Sequence, residues 1–262
     1  MILNRVFLIT ALAILLFSCG KSEKELAAER LSFAERLYQN GDTTEALQQL
    51  DTLQLKYKGA IQAMVEADKF RKKIYGDLFY KKQDEMDSLK VTLQELESKF
   101  VTEKTEFDRY TQYIHKRQQF KRRWNKSFIQ VHLDERGDLY ISSNYYGEQW
   151  LEHTGLRVYD NDIQAKTKKV PLDNVLNHRS DFMETKWEKV TYRDGADNGV
   201  IAFIAEHADR NLKAVFLGSR YYYIILEDYD KQAIKDALAL SKALKRKAKL
   251  EKEIQSLQNK VG

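Results

Sequence analysis

At 262 residues with 43% hydrophobic side chains, the chain is long enough for one large domain or two modest ones and apolar enough to bury a core, which excludes disorder throughout. A single proline, 11 glycines and 32% charged residues favour long helices with solvated faces. With 44 basic against 39 acidic residues, the formal charge of +5 is too small to mark a nucleic-acid binder.

Arg5 is followed over residues 6–17 by a run that is apolar but for Thr10, short for a bilayer span and the size of a signal-peptide core. The run ends in Leu16, Phe17, Ser18 and Cys19, the only cysteine. A basic start, an apolar core, leucine three before and a small residue one before a cysteine resemble the lipobox of bacterial lipoproteins, although Phe17 is bulkier than the residue usual there. The resemblance implies that residues 1–18 are a cleaved signal peptide, that the Cys19 thiol carries a diacylglyceryl group, and that the new amino terminus is acylated. Two or three acyl chains, at about 0.8 kcal/mol per buried methylene, give stable anchoring. The expected location is therefore the cell envelope, with the membrane as partner through that lipid. Gly20, in the place where aspartate retains enteric lipoproteins in the inner membrane, favours the outer membrane, on its periplasmic face or the cell surface. With no second cysteine the fold contains no internal disulfide.

Residues 19–25 are polar and read as a tether, and residues 26–126 as a helical hairpin followed by a long coiled-coil helix. In "AERLYQNGDTTEALQQLDTLQLKY", Ala34, Leu37, Ala46, Leu50 and Leu53 lie on helical faces either side of Gly41 and Asp42. Residues 30–58 resemble one tetratricopeptide-type hairpin, with Lys58 where the family has its closing proline. A lone repeat needs a neighbour to cover it, and serves either as a packing unit or as a peptide groove.

From Ile61 to Trp124 there is no proline and only Gly76 as a glycine, and Leu89, Leu93, Leu96, Phe100, Phe107, Tyr110, Ile114 and Trp124 fall on a heptad-like stripe. Residues 229–262 place Leu240, Ala243, Leu250, Ile254, Leu257 and Val261 at similar spacings. The two stretches are expected to pair antiparallel within the chain, or between chains as a coiled-coil homo-oligomer. Leu244 and Ala248 fall off the stripe and await a third helix or another subunit.

Residues 127–228 change to β-rich patterning. "FIQVHL" and "LYISSNYY" flank the turn "DERGD", "VIAFIAEH" and "LKAVFLG" flank "ADRN", and "RYYYIILED" follows. All these apolar runs read as strands, "LDNVLN" after Pro171 as one helical turn, and "RYYYIIL", apolar on both faces, as a central or covered strand. Asp228 or Asp230 is expected to cap the final helix. The fold class is α+β, with an antiparallel β-rich head between a helical hairpin with its long helix and a C-terminal helix packing back on that helix.

Chemistry is sparse. His115, His132, His153, His178 and His207 have no neighbours at ligand spacing, and "RDGADNG" makes a turn more simply than a calcium loop, so no metal or cofactor is expected. No nucleophile elbow or phosphate loop is present, and no catalytic residue is assigned. Lys121, Arg122, Arg123 and Lys126, interleaved with Phe120 and Trp124, form a candidate surface for anionic headgroups or acidic glycans; nucleic acid, which an exported protein rarely meets, is not expected as a partner. Tyr145, Tyr146 and Trp150, with Tyr140, Tyr159, Trp187 and Tyr192, are candidates for a ring platform that stacks on a glycan or grips a peptide. These observations, together with a resemblance to lipoproteins of Bacteroidetes-like Gram-negative bacteria, suggest a lipid-anchored envelope scaffold, not an enzyme, whose β-rich head stands on a helical stalk and engages a protein partner. The alternatives are a glycan- or peptide-binding lipoprotein using the head aromatics, and an envelope enzyme with a dispersed site.

Overall fold

Among the described residues, two antiparallel sheets of six and four strands and five α-helices make an α+β fold. The structure, a computed structural model, describes residues 21–118, 126–182 and 184–261, with Phe182 described in its backbone alone. Two compact units divide the described residues: those up to 83 together with those from 253 onward, and those between 84 and 252.

The first unit is helical. Ser22 caps α1 (Glu23–Gln39): its Oγ accepts from the Glu25 N–H, and the Glu25 carboxylate accepts from the Ser22 N–H at 2.8 Å. This capping box makes residues 23–25 helix where a tether was expected. α1 and α2 (Thr43–Lys56) bury Ala27, Leu31 and Ala34 against Ala46, Leu50 and Leu53, alanines letting the two backbones approach closely. The first part of α3 (Ile61–Glu97) adds Ala67 and Ile74 to the same core, so the expected hairpin has its neighbour within the chain. The last turns of α5 (Asp228–Val261) contribute Glu253, paired with Lys82 at 3.0 Å, and Lys260, whose ammonium lies 4.9 Å from the Tyr75 ring centre.

In the second unit the six-stranded sheet runs β1 (Phe100–Glu103), β2 (Gln112–His115), β3 (Phe128–Asp134), β4 (Leu139–Gly147), β8 (Thr185–Tyr192), β7 (Asn177–Phe182). The four-stranded sheet runs β10 (Tyr221–Ile225), β9 (Lys213–Leu217), β5 (Gly155–Asp160), β6 (Ile163–Lys166). Alternate residues of both sheets enter one core, Ile129, Val131, Ile141, Val190 and Tyr192 from the first and Leu156, Val158, Ala214 and Phe216 from the second. α4 (Val200–Glu206) and the first turns of α5, with Ala233, Ile234, Ala237 and Leu240, complete it. Antiparallel pairing of α5 with α3 continues here through Arg246, which donates from Nε to Glu85 at 2.9 Å.

Several expectations are corrected. The helix expected to reach residue 124 stops at Glu97, and the six-stranded sheet takes in residues before 127. Phe100, Val101, Tyr113 and Ile114 fit a pleated surface as well as a helical seam, and Asp108 accepts from both the N–H and the Oγ1 of Thr105, closing a local turn that competes with helix. Phe107, placed on the stripe, is 90% exposed at the hairpin's end. "VIAFIAE" is α4 and not a strand: Val200, Ile201, Ile204 and Ala205 are buried at helical spacing. Residues after Pro171 form turns in place of a helical turn. Leu244, off the stripe, lies against the β3–β4 turn, whose Gly137 (φ +81°) carbonyl accepts from Ser241 Oγ at 2.6 Å. Asp228 opens α5, its carboxylate paired with buried Lys231 at 2.9 Å.

Candidate functional site

The most concentrated polar chemistry lies inside the second unit. Strand alternation aims Ser143 of β4 and Glu188 and Tyr192 of β8 at the core, and the loop before β5 lays His153 among them. His153 Nδ1 is 2.7 Å from Glu188 Oε2 and its Nε2 is 2.8 Å from Ser143 Oγ, which is 3.1 Å from the Tyr192 hydroxyl. Serine, imidazole and carboxylate thus have the spacing of a hydrolytic triad. All three side chains are fully buried, however, and the Ser143 oxygen is shared with Tyr192.

The work of this cluster is to hold a loop. Glu188 also accepts from three successive backbone N–H groups, Leu151 at 2.7 Å, Glu152 at 2.8 Å and His153 at 3.0 Å. Glu152 sits at φ +52°, which curls the three donors around one carboxylate. Burial alone would raise the Glu188 pKa, but the bonds from the His153 ring and the backbone N–H groups outweigh it and hold the carboxyl below its usual range. Burial pushes the Tyr192 phenol well above its usual value, so it stays a neutral hydrogen-bonding group. Asn177 donates to the carbonyls of His153 and Val170, both at 3.0 Å, closing the far side of the loop.

A second cluster borders a cleft of about 340 Å³ lined by Lys99, His115, Lys116, Arg117, Gln232 and Asp236. Asp236 of α5 receives Lys99 Nζ at 2.8 Å, Gln232 Nε2 at 3.0 Å and His115 Nε2 at 3.2 Å. His115 Nδ1 accepts from the Arg117 N–H, so its proton lies on Nε2, facing Asp236. Burial lowers the His115 pKa despite that carboxylate. Both ring nitrogens are engaged, and the cluster serves to pin α5 to the β1–β2 hairpin.

The sequence-derived candidates are dispersed. Tyr145 lies in the core, its hydroxyl 3.0 Å from the Gln149 carbonyl and its ring 5.0 Å from that of Tyr222. Tyr146 points to the opposite face, 6.3 Å from Trp187, which is 5.8 Å from His178. Trp150 sits under the Lys186 ammonium. The three residues therefore form no common platform, because adjacent strand positions alternate faces. Tyr192 is likewise sealed in the core. Lys126 pairs with Glu227 at 2.8 Å, the bond that chiefly raises its pKa. Lys121, Arg122 and Arg123, like Cys19, lie outside the described residues.

One surface feature was read the other way from sequence. "YYYII" is strand β10, at the edge of the four-stranded sheet, with no further strand beside it among the described residues. Ile224 packs against the core and Tyr222, 36% exposed, stacks its ring on Phe216, while Tyr221, Tyr223 and Ile225 are 64%, 55% and 66% exposed. Among the described residues β10 pairs with β9 alone, and no local pattern within "YYYII" specifies how many neighbours a strand has.

Among the described residues no helix is long and apolar enough to cross a membrane. No protein-family model matches the chain, and comparisons with curated proteins and with solved structures gave no match.

Proposed function

We propose that this chain is a lipid-anchored cell-envelope protein that acts as a non-catalytic interaction module, docking an extended segment of a protein on the edge of its four-stranded sheet. The anchor reading rests on the sequence from Arg5 to Cys19, and the docking reading on one observation, the bare apolar edge of β10. Among the described residues the sheets have four edge strands, β1, β7, β6 and β10. β1 carries Glu103, β7 carries Arg179 and Asp181, and β6 carries Lys166, charges of the kind that discourage another strand from pairing. β10 carries no charged side chain and no proline. Replacing Tyr223 by a photo-crosslinking phenylalanine analogue in cells should give discrete protein adducts that the same analogue at exposed Tyr80 of α3 does not. Identical adduct patterns at both positions would remove the docking reading.

A second reading has its own support. Tyr146, Trp187 and His178 form a partly exposed ring row on the outer face of the six-stranded sheet, suited to stacking on a sugar. Glycan-array binding by the chain, lost on Trp187→Ala, would favour it over strand docking.

A further inference from the structure

Resting on the docking reading above, we infer that the strand β10 receives is β10 of a second copy, joining two four-stranded sheets into one across a two-fold axis at Tyr223.

The hydrogen-bond register identifies what the edge offers. β10 pairs with β9 antiparallel, Tyr221 opposite Leu217 and Ile225 opposite Lys213. The Leu226 N–H bonds the Leu212 carbonyl, and the Gly218 N–H bonds the Arg220 carbonyl. In an antiparallel ladder the bonded positions alternate, so residues 220, 222, 224 and 226 spend their N–H and C=O groups on β9. The N–H and C=O of Tyr221, Tyr223 and Ile225 therefore point outward, without a strand to meet among the described residues. Their side chains are also the most exposed of the strand.

Such an edge is complementary to itself. With the axis at Tyr223, Tyr221 of one copy faces Ile225 of the other, Tyr223 faces Tyr223, and Ile225 faces Tyr221. Each facing pair is a doubly hydrogen-bonded one, so every outward group of the strand is satisfied. Aromatic against β-branched and aromatic against aromatic are favourable cross-strand neighbours. The flanking charges select the same arrangement. Exposed Arg220 precedes the strand, and exposed Glu227, which also meets Lys126, and Asp228, which also meets Lys231, follow it. Antiparallel pairing brings Arg220 of each copy beside Leu226 and Glu227 of the other, whereas parallel pairing would set like charges together.

A five-residue strand gives an interface near the lower limit of specific ones, which implies weak, micromolar-scale association. Molecules held on one membrane by acyl chains meet at a raised effective concentration, so a weak pair suffices there.

The test is sedimentation of the full chain in detergent micelles from about 1 to 100 μM, with folding of each variant checked by circular dichroism. The wild-type chain should show a reversible monomer–dimer equilibrium, and Tyr221→Lys should weaken it by at least tenfold. Combining Tyr221→Lys with Ile225→Glu should restore the dimer, because the introduced charges face each other across the axis in this register alone. A wild-type chain that stays monomeric at the highest concentration would overturn the inference, as would a dimer indifferent to Tyr221→Lys or a double variant no tighter than the single one. Adducts at Tyr223 to a different protein, with the wild-type chain monomeric, would overturn the second copy as occupant and leave strand docking standing.

Discussion

His153 Nδ1 and the Glu188 carboxylate meet at 2.7 Å with neither side chain exposed to solvent. In the unfolded chain Glu188 titrates near its ordinary value of 4.5, and in the folded chain below it. The unfolded state therefore binds the proton more readily, and the stabilisation from Glu188 is fully present above that ordinary value and lost as pH falls through the folded one. Acid unfolding of Glu188→Gln should accordingly be shallower over that window, on a stability already lower at pH 7 by about 2–4 kcal/mol, since an amide offers its own N–H groups where the loop presents donors. Denaturant melts of both proteins between pH 3 and 7 measure the two slopes.

Ser143 separates a structural cluster from a concealed catalytic one. Its Oγ bridges His153 and Tyr192, so Ser143→Ala leaves two buried polar groups each short of a partner. The expected cost is about 1–3 kcal/mol, seen as a fall of several degrees in Tm. Ester hydrolysis by the wild-type chain that vanishes in this variant, with the fold intact, would contradict a purely structural role.

The proposed anchor makes its own prediction. Cys19→Ala removes the thiol that the lipobox resemblance marks for acylation, so the variant should accumulate as a precursor larger by residues 1–18 and fail to incorporate labelled fatty acid. Labelling equal to that of the parent chain would refute lipidation at Cys19. Stability of the folded part should be unchanged, because α1 begins beyond it at Glu23.

What was legible in the sequence follows from how far a local pattern constrains a contact. The hairpin of α1 and α2, the turn at residues 134–138 and the antiparallel α3–α5 pairing rest on spacings and turn chemistry read directly along the chain. Two failures arose where one composition suits two structures. Phe100 to Ile114 satisfied a heptad, but the deciding events are the Thr105–Asp108 turn and pairing with β3, the second of which no local window contains. "VIAFIAE" reads as a β run by propensity, yet its buried positions follow a helical period because β5 and β6 offer it a surface. The buried Ser143–His153–Glu188 cluster was invisible for a third reason: its members come from three segments, and only sheet register brings them together.

Gly218 links that buried loop to the exposed edge. It ends β9 where the Leu151 carbonyl passes so close that a Cβ at this position would lie 2.0 Å from the oxygen and 2.9 Å from the His153 nitrogen. Both obstacles are backbone, in a loop already fixed by Glu188, so they yield only by displacing the loop or the β9–β10 turn. The same carbonyl accepts from the Ser219 N–H at 2.9 Å and from Ser219 Oγ at 3.0 Å, bonds that position the start of β10. Gly218→Ala should therefore cost about 2 kcal/mol or more by overpacking. Hydrogen exchange should localise the loss to residues 151–153 and 219–225 ahead of the six-stranded sheet. If the edge strand is the docking surface, Gly218→Ala should also reduce crosslinking at Tyr223 in the fraction that stays folded, whereas Ser143→Ala, which leaves the Leu151 carbonyl and Ser219 in place, should reduce it less. Equal crosslinking in Gly218→Ala and the parent, with protection lost over residues 219–225, would show that the contact at Tyr223 does not depend on an ordered β10.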